Sequence, residues 1–236
     1  MPREESISKG RSHCDSCQHI LQWYDLFPIF SFLLLRGKCR YCHANIGWQT
    51  MSIELLTGIL FSMAGYFLWI ANTSLIFYLI SLLYVLCIFS CFIIIFFIDL
   101  YYGIIPNSIV YPATMVAIIY HLVFITTFLS YLSSGLIAGL FFFLLFAITK
   151  GKGMGFGDVK LALLLGLFLG FPGIVIALYI AFLTGALVAS ILVIMKKKKF
   201  SKGTISFGPF LIFGTLVIFF YGSPIGSYVL KIFFNR

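Results

Sequence analysis

Ile93-Ile94-Ile95-Phe96-Phe97-Ile98-Asp99-Leu100-Tyr101-Tyr102-Gly103-Ile104-Ile105-Pro106-Asn107 is an apolar run that ends on one acid and then turns. Apolar stretches of 18 or more residues with few or no charges recur along the chain, and each reads as a membrane-spanning helix. The 236 residues are 61% hydrophobic and 10% charged, with a mean hydropathy of +1.09. A soluble domain carries about 25% charged residues. The expected fold class is therefore all-α, a multi-pass transmembrane helix bundle. About seven spans are expected, near 52–70, 75–98, 105–127, 131–149, 154–170, 173–195 and 206–222. The first 50 residues are polar, basic and cysteine-bearing, with no cleavable signal peptide pattern. This divides the chain into a small module over 1–50 and a polytopic domain over 51–236.

Net charge is +9, and its placement is more informative than its size. Arg3, Lys9, Arg11, Arg36, Lys38 and Arg40 precede the first span. Lys150, Lys152 and Lys160 bracket a central loop, and Lys196 to Lys199 with Lys202 form a further cluster. The alternate loops, around Ala71–Thr73, Phe128–Ser130 and Phe171–Pro172, contain no Lys or Arg. Basic residues concentrate on the cytoplasmic side of membrane proteins. An inside N-terminal module, a cytoplasmic-membrane location and an outside tail follow. Topology accounts for the basic charge, so the expected partner is the lipid bilayer and not nucleic acid.

From Leu55 to Arg236, 182 residues, only Asp99 and Asp158 carry carboxylates. An acid within a lipid-embedded segment is costly and marks function by default. The span count puts both at the cytoplasmic face although 59 positions separate them. Asp99 closes the second span, where the helix dipole opposes a negative charge, so something else should hold it there. Asp158 follows Gly151, Gly153, Gly155 and Gly157, whose alternation suits close backbone approach or unusual dihedrals rather than helix. From Asp158 to Gly170 is only 13 residues, roughly 20 Å of helix, so this span must begin near the glycines. A phosphate loop would need a Gly-Lys-Ser/Thr ending, absent here. Two carboxyls sharing a low-dielectric site tend to share one proton, and the pair can activate a water against a peptide carbonyl. A proton-coupled transporter would also place acids in spans.

Cys14-Asp15-Ser16-Cys17 and Cys39-Arg40-Tyr41-Cys42 stand 21 residues apart. Two such knuckles supply four thiolates for a structural zinc; His13, His19 or His43 could replace one. Leu26 to Leu35 between them is too short to cross a bilayer. It either packs under the module or lies against the membrane surface. Gly135-x-x-x-Gly139 and Gly166-x-x-x-Gly170 read as helix-contact motifs, and His121 as a satisfied core polar group. Glu54 would pair with a basic residue or stay solvated.

Gly155-Phe156-Gly157-Asp158 resembles the GxGD signature of intramembrane aspartyl proteases. With the two cysteine pairs, the chain resembles the bacterial type IV prepilin peptidases along nearly its whole length. Phe27 to Cys42, Asp99 through Asn107, Lys152 to Lys160 and Phe207-Gly208-Pro209-Phe210-Leu211 carry the likeness. It implies that Asp99 and Asp158 are the catalytic pair, with Gly155 and Gly157 shaping the loop. It implies pilin-like precursors as partners, with a basic leader, a glycine before the cut and an apolar helix after it, cleaved on the cytoplasmic side. Many members also methylate the new N-terminus with S-adenosylmethionine. Members usually begin with a further membrane helix, whereas Met1-Pro2-Arg3-Glu4-Glu5-Ser6 matches the end of that region. Either the start is shortened or the helix is lost, and no Gly-rich strand–helix motif for a methyl donor is visible. A non-enzymatic zinc-clipped scaffold is the alternative, beside the transporter.

Overall fold

Among the described residues, the seven long apolar segments become seven helices, in the order of the hydropathy pattern. The computed structural model describes residues 11–71, 74–124, 127–151, 153–195 and 206–234; the side chains of 71 and 223–234 are outside that description. Arg3, Lys9, Lys152, the Lys196–Lys199 run, Lys202 and Arg236 lie outside the described residues, as do Asn72 and Thr73 of the first lysine-free loop. A 3-10 turn, Trp23–Leu26, and a short helix α1, Phe30–Leu34, precede α2, Trp48–Ala71. Then follow α3, Leu75–Tyr102; α4, Asn107–Phe124; α5, Phe128–Ile148; α6, Phe156–Leu169; α7, Gly173–Ile194; and α8, Gly208–Phe234. Among the described residues there are no strands, only two isolated bridges in the cysteine region. The chain forms two compact units, Met1–Ser62 and Met63–Arg236.

Among the described residues, five helices are long and apolar enough to cross a bilayer: Trp48–Ile70, Leu75–Tyr102, Asn107–Phe124, Phe128–Ile148 and Gly173–Ile194. The protein is an integral membrane protein. Helix α8 is apolar over Gly208–Gly222 and continues past the expected end at 222.

Helix α6 behaves differently from a lipid-facing span. Its 14 residues reach roughly 21 Å, short of a hydrocarbon core of about 30 Å. It packs against α4, α5, α7 and α8, and Asp158, Val159, Leu161, Ala162 and Leu164 through Phe168 are all buried. A helix that is apolar all round is a buried helix. Phe156 at its start and Phe171 just past its end are exposed, but the turns between them are enclosed by protein, and a helix enclosed in this way need not match the bilayer's length. The expected span at 154–170 is thus the centre of the bundle.

Small residues make that burial possible. A Cβ added to Gly166 would stand 2.7 Å from Gly135 Cα and from the Ser134 carbonyl oxygen. Gly135 and Gly166, one from each glycine motif, therefore meet backbone on backbone across α5 and α6. Gly139 meets only the Leu163 side chain, at 3.3 Å. Gly166→Ala is expected to force the helices apart and cost about 1–3 kcal/mol, read as a fall in detergent-solubilised melting temperature. Gly139→Ala should cost less, because a side chain can yield. Equal melting of wild type and Gly166→Ala would show the contact to be looser than this.

Where α3, α6 and α8 meet, aromatic rings fill the core. Phe92 lies 5.5 Å from Phe168, which lies 5.4 Å from Phe219, while Phe89 sits 5.2 Å from Phe219. His121 is buried between α3 and α5, its Nε2 3.5 Å from the Tyr84 hydroxyl and its ring stacked on Tyr131. Among the described residues its Nδ1 has no hydrogen-bond partner, so it is only half the satisfied core group expected.

Candidate active site and metal centre

Helix α3 runs one turn beyond the expected end, placing Asp99 inside its last turn. Gly103 then terminates it in a left-handed conformation (φ 66°), its N–H bonding to the Asp99 carbonyl; glycine adopts that geometry without penalty. The chain turns through Ile104–Pro106 into α4, so Gly103 and Pro106 reverse it as their types suggest.

The dipole problem at Asp99 is solved by another helix. Gly208, the first residue of α8, donates its N–H to Asp99 Oδ2 at 3.0 Å. Ser206 donates its hydroxyl to the Asp99 carbonyl at 2.7 Å. A helix N-terminus presents unpaired N–H groups and a partial positive charge, so α8 offsets the unfavourable end of α3. Asp158 has the same arrangement locally. It is the third residue of α6, and the Gly155 N–H reaches its Oδ2 at 3.1 Å. Each carboxylate thus sits at a helix N-terminus, and each is buried.

Both acids line one cavity of about 580 Å³, walled by Gly103–Asn107, the Gly153–Gly157 loop, Lys160, Ser206 and Phe207. The glycines there serve different ends. Gly151 holds a φ of 72° at the turn after α5. Gly157 lets the first turn of α6 approach the loop after α3, where an added Cβ would lie 3.0 Å from Ile105 Cβ. Gly155 contributes its N–H. Lys160 donates to Asn107 Oδ1 and lies over the rings of Tyr111 and Phe156, at 5.6 and 5.5 Å. Sequence reasoning missed this cation and its asparagine, and it noted Phe207-Gly208-Pro209 without a partner. The unresolved dipole at Asp99 was the available signal for that partner.

The cysteine module is built twice from one pattern. Cys14 and Cys39 donate their N–H groups to His19 and Ala44, five residues on. Gln18 and His43, each just after the second cysteine, sit at φ 58° and 57° and bond back to the first. Two facing turns result. The Sγ atoms of Cys14, Cys17, Cys39 and Cys42 all lie within 4.8 Å of one another, a cluster able to hold a metal ion. The donor set asks for a cation. The Cys17 and Ser16 N–H groups draw the Cys14 thiol down to about 6. Cys42 is pushed up to about 12, since desolvation and the neighbouring sulfurs outweigh the Ala44 N–H. His13, His19 and His43 are not in the cluster; His19 instead packs on Tyr41, ring centroids 3.7 Å apart.

Asp25 ties the loop between the knuckles to the second of them. Its carboxylate accepts from Arg40 Nε at 2.7 Å and from the Tyr41 hydroxyl and Gln22 N–H at 3.2 Å. Burial opposes the charge, but Arg40, Gln22 and Tyr41 hold the carboxyl below its ordinary range.

Two family descriptions match the sequence. "Bacterial Peptidase A24 N-terminal domain" covers residues 1–68, and "Type IV leader peptidase family" covers residues 86–190. Among curated relatives named prepilin leader peptidase/N-methyltransferase, that of Bacillus subtilis is 31% identical over 239 residues, 98% of this chain and 90% of the relative. Those of Burkholderia pseudomallei strain 1026b and Neisseria gonorrhoeae are 30% and 32% identical. They are matched over 95% and 92% of this chain, and 71% and 73% of their own lengths. No solved structure matches. A helical membrane domain with two converging acids, joined to a four-cysteine module and matched along nearly its full length by these proteins, belongs to the type IV leader peptidase family.

Proposed function

We propose that Asp99 and Asp158 form the catalytic dyad of this protease and that it removes the basic leader of type IV prepilin-like precursors. The convergence of both carboxyls on one cavity carries the reading. With one proton shared between them, the ionised partner takes a proton from water while the protonated one donates to the scissile carbonyl. The Gly208 and Gly155 N–H groups fix one oxygen of each carboxyl and leave the other to the reaction. Cleavage at the cytoplasmic face follows from the lysine and arginine distribution; Lys150 and Lys160, on the expected inside loop, flank this cavity's end of α5 and α6. The second activity in the relatives' names, N-methylation, draws on S-adenosylmethionine and comes to this chain through the family alone. Membranes holding the protein and a co-expressed pilin-like precursor should yield a shortened precursor. Acid-driven flux without cleavage would support the transporter instead, and neither activity the scaffold.

The four thiolates suit zinc. Tetrahedral ligands at about 2.3 Å stand about 3.8 Å apart, and the Cys14 and Cys42 sulfurs are 3.8 Å apart. Four protein ligands close the site, so the ion would hold the fold and do no chemistry. Elemental analysis should find about one zinc per chain, with Cys39→Ser abolishing it. Chelation should expose the 11–47 segment to proteolysis, because structural zinc supplies most of such a module's folding energy. A metal-free protein with that segment protected would refute this.

A further inference from the structure

We propose that the cysteine module carries a membrane-docking face, built on α1, that lies in the lipid headgroup region beside the entry of α2. The sequence left two fates for the Leu26–Leu35 stretch. Ser31 points inward and is buried, its hydroxyl bonded to the Asp25 carbonyl. Phe30, Leu33 and Leu34 point outward, and Leu34 is 80% exposed. Trp23 and Phe27 extend this face; a shallow cleft of about 260 Å³ runs among Trp23, Phe27, Phe30 and Leu34. On the other side of α1, Phe32 and Leu33 line a second cleft with Trp48. Contiguous exposed apolar surface of this kind marks a partner or a membrane.

Covalent and hydrogen-bonded geometry selects the membrane. Trp48 is the first residue of a helix long and apolar enough to span, and its ring lies 5.4 Å from Phe32. The Ile29 N–H, at the start of α1, bonds to Glu54 Oε2 at 2.8 Å. Glu54 is six residues into α2, about 9 Å along its axis, so α1 is pinned at the depth where α2 enters the bilayer. Among the described residues, Glu54 bonds to this backbone N–H and to no basic side chain, and so it anchors α1. The exposed cations Arg36 and Lys38 follow α1 directly, the charge that anionic headgroups attract. Apolar side chains with flanking tryptophan and cations are the composition of an interfacial element.

Tryptophan fluorescence tests the placement. The chain has three tryptophans, so W48F/W69F leaves Trp23 as sole reporter in the full-length protein. In phosphatidylcholine–phosphatidylglycerol vesicles, shallow dibrominated acyl chains should quench Trp23 about twofold, while acrylamide quenches it weakly. Adding Phe30→Asp and Leu34→Asp should abolish the lipid quenching while metal content stays unchanged. Strong acrylamide quenching without lipid quenching would put the face in water and overturn the proposal. Protection from both quenchers would mean that protein covers it, a precursor or a second copy, and would overturn it equally. None of these outcomes depends on peptidase activity.

Discussion

Asp99→Asn and Asp158→Asn are each expected to lower precursor cleavage by at least about 10³-fold while leaving the fold intact. The substitution is close to isosteric, and the structure shows why it should be benign outside the chemistry. Each carboxylate accepts one backbone N–H through a single oxygen, from Gly208 and Gly155 respectively. An asparagine carbonyl oxygen can keep that bond. What it cannot do is carry the negative charge that activates water or the acidic proton that reaches the carbonyl. In the proposed dyad the two groups would act on one water, so removing the second after the first should cost little more. The double variant should match the worse single variant within a few-fold, whereas independent sites would multiply. Cleavage measured in membranes, with melting temperature as the fold control, decides it. If either single variant keeps more than about a tenth of wild-type activity with the fold intact, that acid is not half of a dyad.

The architecture was legible because lipid imposes severe rules. Every spanning backbone group must be satisfied internally, so apolar runs become helices with few alternatives. The cysteine module was legible because CxxC spacing dictates tight turns. Four features were hidden, each because it depends on a residue distant in sequence. Burial of α6 comes from neighbours far along the chain, and its hydropathy resembles that of a lipid-facing span. Its glycine at 166 hinted at close contact but could not name Gly135. Asp99 needed a donor, and the donor lies 109 residues on, at Gly208. Glu54 offered a salt bridge or solvent in one dimension; in three it found the backbone of Ile29. Lys160 read as one more topology charge, yet Asn107, Tyr111 and Phe156 hold it at the cavity wall.

Gly208→Ala should lower cleavage about 10²-fold, on the scale of a 1 Å misplacement of a reacting group, without lowering stability. The position is the first of α8, where the helix-interior preference for alanine over glycine, about 1 kcal/mol, is mostly lost but does not reverse. Nothing in the helix itself requires glycine. The added methyl, however, would stand 2.5 Å from Asp99 Oδ2 and 3.2 Å from its Cγ. Ile105 Cδ1, at 3.4 Å, closes the other side. The carboxylate can relieve that overlap only by leaving the Gly208 N–H, which breaks the bond and moves the acid within the cavity. Activity and stability therefore part company, as they would not for a core defect such as Gly166→Ala. Gly65→Ala is the matched control, since its methyl would meet only the Tyr78 hydroxyl, at 3.9 Å, and cleavage should be unchanged. Full activity in Gly208→Ala would mean that the position of Asp99 against α8 has no bearing on catalysis, whatever the aspartate itself contributes. A loss accompanied by lower melting would assign the glycine to packing instead. Only the combination of unchanged or raised melting temperature with lost cleavage supports the reading that α8 lends its N-terminus to the first carboxylate.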